Sequence, residues 1–173
     1  MILPWARQIP SEHFEKRGVE EVECVVIHHI SLPPGSFGTG CIADLFTGTL
    51  DTSAHEYFVE LEGVRVSAHF LIDREGVVTQ FVDTADAAWH AGESSWRGRG
   101  GVNLFSIGIE LEGDEITPYT EEQYRTLRLL LNDLELAHPK LRGDYLAGHD
   151  EIAPGRKRDP GPLFEWGRFR KYS

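Results

Sequence analysis

At 173 residues, with 40% hydrophobic and 26% charged side chains, the chain has the size and composition of one domain that can bury its own core. Seventeen basic against 28 acidic residues give a formal net charge of −11, which repels phosphate backbones and argues against a nucleic-acid partner. No apolar run approaches the roughly 20 residues that span a bilayer, and the opening MILPWARQIPSEHFEKRG lacks the pattern of an export leader, so the cytoplasm is the expected compartment.

The first clear element is ECVVIHHI, Glu23 to Ile30, a Val- and Ile-rich run that predicts a buried central strand. It places Cys24 in the core, and with Cys41 far from any CxxC pattern both cysteines read as reduced thiols. Ser31 to Gly40 (SLPPGSFGTG) reads as a loop, and a loop of that length in a compact domain is usually functional. A short helix is predicted over Ala54 to Glu62. The stretch SAHFLIDREGVVTQFV then reads as a hairpin turning at Arg74, Glu75 and Gly76. Phe105 to Gly113 (FSIGIELEG) is another strand, and Gly108 in its middle marks a bulge or a close approach.

The clearest helix begins at Thr120, where TEEQ forms a capping box with Gln123. Tyr124, Leu127, Leu131 and Leu134 follow at helical spacing, and Pro139 ends the run. A last short strand, DYLAGH, closes on His149. Strands alternating with helices predict an α/β (α+β) fold, one domain over residues 1–173 with its core at about 20–165, built on a central mixed sheet flanked by helices.

Eight histidines punctuate this pattern, several at strand ends. One histidine alone usually means a satisfied structural residue; several at one sheet edge mean more. A catalytic zinc site needs three protein ligands and an open position. His28 or His29 on the first strand, His149 on the last and Asp159 just downstream meet that need, if the turn at Ala153-Pro154-Gly155 folds Asp159 back. Lys157 lies two residues before Asp159 and can polarise a carbonyl oxygen, unless it is one more solvated charge in Arg156-Lys157-Arg158. Glu110 and Glu112 share one face of an apolar strand, a costly arrangement unless that face meets a wet cavity or a cation. Glu110, the deeper of the two, is the candidate base for water; Glu112 reads as a solvated or structural partner.

VVIHHISLPPGSFGTG, LFTGTLD, RVSAHFLIDREG, AWHAG, FSIGIELEG, YTEEQY and GHDEIAPGRKRDPGP follow one another in a familiar order. From Trp5 to Phe169 the chain resembles the zinc-dependent N-acetylmuramoyl-L-alanine amidases, whose fold is shared with peptidoglycan recognition proteins. The resemblance implies one Zn²⁺ per chain on His28, His149 and Asp159, Glu110 as the water-activating base and Lys157 at the oxyanion. It also implies Arg65, Trp89 and His90 in a substrate groove. The implied substrate is a small 1,6-anhydro-muropeptide of peptidoglycan recycling, taken by a cytoplasmic monomer with no membrane partner. Two other readings follow from the same likeness: a non-catalytic peptidoglycan-binding module, and an exported or phage-type amidase of intact murein.

Overall fold

A computed structural model of the chain describes residues 1–170. In chain order the strands are β1 (Arg7–Gln8), β2 (Phe14–Lys16), β3 (Cys24–Ile30), β4 (Phe70–Ile72), β5 (Val78–Gln80), β6 (Asp86–Ala88), β7 (Ser95–Trp96), β8 (Arg99–Gly100), β9 (Ser106–Glu112) and β10 (Leu146–Gly148). The α-helices are α1 (Cys41–Thr47), α2 (Glu121–Ala137) and the single turn α3 (His149–Ile152). Six strands form the central sheet in the order β1-β5-β4-β9-β3-β10. It is mixed: β4, β9, β3 and β10 run parallel, and β5 runs antiparallel to β4.

Alternation along β3 and β9 sorts the two faces. Val25, Ile27, Ile107, Ile109 and Leu111 point to one side and pack against Leu127, Leu130, Leu131 and Leu134 of α2. Cys24 and Val26 point to the other side with Val102, Phe105, Ala147 and Ile152. Next to them, Leu71 joins Phe46, Phe58 and Phe81 under α1. Helix α2 starts as its sequence predicts: Thr120 Oγ1 accepts from the Gln123 backbone N–H at 3.1 Å, and Gln123 Oε1 accepts from the Thr120 N–H at 3.0 Å.

Three elements differ from the sequence expectation. The helix expected over Ala54 to Glu62 is a 3₁₀ segment, Glu56–Leu61, with only Phe58 buried, too little apolar surface to hold a longer α-helix. Helix α1 went unread because its seven residues stand between Gly40 and Gly48 with no side-chain cap to announce them. The last strand stops at Gly148, and His149 opens α3 instead of closing β10. Gly148 is required there, since a Cβ would fall 3.0 Å from Pro160 Cδ and 3.3 Å from the Trp166 ring.

Candidate metal centre

The carboxyl ends of three adjacent parallel strands, β9, β3 and β10, meet at one edge of the sheet, where open α/β sheets place their ligands. His28 lies directly opposite Glu110 in the β3–β9 register, both on the face away from α2. His29, one residue on, points to the opposite face by the same alternation. His149 follows Gly148, which is paired with Ile27, so it emerges beside His28. The segment after α3 then turns back, and the Asp150 N–H donates to the Asp159 carbonyl at 3.0 Å. That bond carries the Asp159 side chain to the two rings.

The result is a tight triangle. His28 Nδ1 lies 2.9 Å from His149 Nδ1 and 3.0 Å from Asp159 Oδ2, and His149 Nδ1 lies 2.9 Å from that same oxygen. Hydrogen bonding satisfies it poorly: if both neutral imidazoles donate to the one oxygen their protons crowd, and if only one donates the other ring's Nδ1 lone pair is left against the carboxylate. Three ligand atoms facing one point suit a cation. Ligands about 2.0–2.1 Å from a tetrahedral zinc stand roughly 3.3–3.4 Å apart, so small outward shifts convert the triangle to a coordination shell. His28, His149 and Asp159 are the one group of three or more potential ligands among the described residues whose atoms converge in this way.

Their electrostatics favour the ligating forms. Burial pushes the His28 ring down to about 4, only partly offset by Asp159, so it is neutral at neutral pH. Burial alone would raise Asp159, but its bonds to His149 and His28 outweigh that and hold it well below the usual carboxylate range.

Glu110 is 8% exposed, and its Oε2 is buried with no hydrogen-bond partner. Burial, then the charge of Asp159, pushes its carboxyl well above the ordinary value, with Lys157 pulling the other way. Lys157 itself is exposed, and it acts electrostatically on both Glu110 and His28. Its neighbours go elsewhere. Arg156 donates to the Ala91 and Glu93 carbonyls at 2.6 Å, and Arg158 makes a loose surface pair with Glu115 at 3.8 Å. The basic cluster is therefore three residues with three different surroundings.

Trp89 lies parallel to His13 at 6.1 Å between ring centroids, and the Arg65 guanidinium sits 5.6 Å from the Trp89 ring. Trp89 directly precedes His90 in the chain, and its carbonyl accepts from the Ser67 N–H at 3.1 Å. His90, half-buried, is drawn against the ligand His28. Its Nδ1 lies 2.9 Å from His28 Nε2 and its Nε2 lies 3.0 Å from Ser106 Oγ, so both ring nitrogens are engaged behind the ligand. Sequence reading missed Ser106 and Asn103, which hold that region. Neither a serine opening a strand nor an asparagine in a glycine-rich turn carries a distinctive signal.

A family model described as N-acetylmuramoyl-L-alanine amidase matches residues 18–162. The chain belongs to this amidase family. Its relatives include the 1,6-anhydro-N-acetylmuramyl-L-alanine amidase AmpD of Haemophilus influenzae, 48% identical over 169 residues that cover 97% of this chain and 92% of that one. AmpD of Escherichia coli K12 matches with the same identity and coverage. A crystal structure of a selenomethionine AmpD derivative superimposes with a TM-score of 0.94 at 48% identity, covering 97% of this chain and 94% of that one. The Escherichia coli amidase AmiD, in complex with anhydro-N-acetylmuramic acid-L-Ala-D-γ-Glu-L-Lys, matches with a TM-score of 0.62 at 27% identity, over 89% of this chain and 56% of that one. These likenesses bear out the mixed-sheet amidase fold. Among the described residues, no helix of this amidase is long and apolar enough to cross a membrane.

Proposed function

We propose that this amidase cleaves the amide between the lactyl group of 1,6-anhydro-N-acetylmuramic acid and L-alanine, using one zinc ion held by His28, His149 and Asp159. The observation that carries the reading is the triangle of ligand atoms with the unpartnered Glu110 oxygen on the same sheet face. When bound there, zinc supplies Lewis acidity and lowers the pKa of a coordinated water to about 7. Glu110 takes the proton of the attacking water and returns it to the leaving amine. The Lys157 ammonium meets the negative charge that develops on the amide oxygen. Arg65 and Trp89 line the approach and hold the muropeptide.

The anhydro form of the substrate is supported by the near-complete coverage of relatives named for that activity, and by the anhydro-muramyl peptide bound in the AmiD complex. A net charge of −11 suits a small diffusible muropeptide in the cytoplasm better than an anionic wall polymer, and a monomer suffices because all the named groups come from one chain. The full set of ligands and Glu110 disfavours a binding module without catalysis.

The test is metal content together with hydrolysis of anhydro-muramyl-tripeptide before and after chelation, with intact sacculi as the competing substrate. One zinc per chain is expected, with activity lost on chelation and regained with zinc. His149→Ala and His28→Ala should lose metal and activity, while His29→Ala keeps both. Full activity in metal-free protein would sink the mechanism, and preference for sacculi would move the enzyme to the wall.

A further inference from the structure

Behind the metal-facing triangle, one short segment touches the far side of both histidine rings. His28 Nε2 lies 2.9 Å from His90 Nδ1, with the two rings edge-on at 83°. His149 Nε2 lies 3.3 Å from the carbonyl of Ala91, the next residue. The segment is itself fastened. Asn103 Oδ1 accepts from the backbone N–H of His90 at 3.2 Å and of Ala91 at 2.8 Å, and Arg156 donates to the Ala91 carbonyl from the other side. The His90 ring rests on bare backbone at Gly108, where a Cβ would fall 2.6 Å from His90 Nδ1. Gly108 is thus the close approach that its place in a strand suggests.

A neutral imidazole has one N–H and one lone pair, so the partner of the outer nitrogen decides which nitrogen can face an ion. A carbonyl only accepts. His149 must therefore carry its proton on Nε2, which leaves the Nδ1 lone pair for the site. His28 reaches the same tautomer only if His90 Nδ1 accepts, which requires the His90 proton on Nε2, donated to Ser106 Oγ. We infer that the His90–Ala91 segment, clipped by Asn103 and seated on Gly108, orients both histidine ligands, with His90 acting as a positioning residue through a His28–His90–Ser106 relay. The inference rests on the zinc reading and adds to it a place for His90 behind the ligands, outside the substrate groove.

Zinc affinity, measured by competition with a chromogenic chelator, reads this without turnover, and the visible spectrum of the cobalt-substituted protein reports ligand geometry. His90→Leu keeps bulk and removes the acceptor; it should weaken zinc binding by about 10–100-fold and alter the cobalt spectrum. His90→Asn returns an acceptor near the Nδ1 position and should recover much of that loss. With zinc saturating, KM for the muropeptide should stay near wild type in both. Wild-type zinc affinity and spectrum in His90→Leu would overturn the proposal. A raised KM with unchanged metal binding would also overturn it and return His90 to the groove. If His90→Leu fails to fold, Ser106→Ala decides: it should weaken zinc binding to a smaller degree, and an unaltered affinity and spectrum there would overturn the relay. A wild-type protein that binds no zinc at all would instead defeat the parent reading.

Discussion

Glu110 and Glu112 leave strand β9 on the same face, two residues apart, and both are buried. Their surroundings are opposite. Glu112 Oε1 accepts from the Gly38 N–H at 2.6 Å and its Oε2 from the Arg74 N–H at 3.3 Å, tying the Ser31–Gly40 loop and the β4–β5 turn to the sheet. Arg74 continues the tie, with its guanidinium 5.0 Å from the Phe37 ring and bonded to Pro118 O and Gln123 Oε1. Glu110, opposite the ligand His28 in the strand register, has a buried oxygen with no partner among the described residues. A buried carboxylate whose oxygens are spoken for is architecture. One left unpartnered costs stability, and a fold keeps it for chemistry.

The sharpest way to break that contrast is to neutralise each carboxylate in turn. Glu110→Gln should keep its zinc, because Glu110 is outside the ligand triangle, yet lose roughly 10²–10⁴-fold in kcat. Its metal-free form should be no less stable than wild type, since the change removes a buried group that burial and Asp159 already disfavour as an anion. Near-native turnover in Glu110→Gln would move the base elsewhere and erase the distinction between the two positions.

A second test extends the contrast to the basic cluster. Lys157→Ala should cost about 10²–10³-fold in kcat with KM little changed, the pattern of an interaction made only in the transition state. Arg158→Ala should be close to neutral, because its ion pair with Glu115 is long and its side chain 83% exposed. Arg156→Ala should act differently from both, weakening zinc retention through the Ala91 carbonyl that His149 shares. Equal small losses in all three would make the cluster a charged surface and nothing more.

How much of this could be read before the structure follows from which interactions are local. The β3 and β9 strands, the β4–β5 hairpin and the Thr120–Gln123 cap were legible because hydrophobic alternation and capping chemistry are written within a few residues. Which of His28 and His29 meets Glu110 was not legible from the residues alone, because Cys24, Val25, Val26 and Ile27 are apolar at both parities and only the pairing with β9 decides it. The fold-back of Asp159 required only a turn, and the sequence provides one. Helix α1 was not legible, being short and uncapped. The frame behind the ligands was invisible for a different reason: Asn103, Ser106 and Gly108 act on His90 across separate elements, and nothing local marks an asparagine whose role is to accept two distant backbone N–H groups. The same holds for Glu112, whose partners Gly38 and Arg74 stand 74 and 38 residues earlier in the chain.

The smallest expected effect belongs to Glu112, and it completes the comparison with the sign reversed. Glu112→Gln retains volume but exchanges one accepting oxygen for an NH₂ group that must face an N–H donor, at Gly38 or at Arg74. One backbone donor then loses its acceptor. The penalty should be about 1–3 kcal/mol, toward the lower end because Gly38 is exposed and can be rehydrated. Zinc affinity should be unchanged, since no bond joins Glu112 to the ligand triangle or to the His90–Ala91 segment. Activity should fall far less than in Glu110→Gln, and through KM more than kcat, because the Ser31–Gly40 loop beside the site loses its tether while the reacting groups stay in place. Denaturant unfolding together with steady-state kinetics separates the two carboxylates: one variant should be stable and inactive, the other active and less stable. A Glu112→Gln protein with native stability and a collapsed kcat would show that the catalytic carboxylate lies one turn of alternation further along β9.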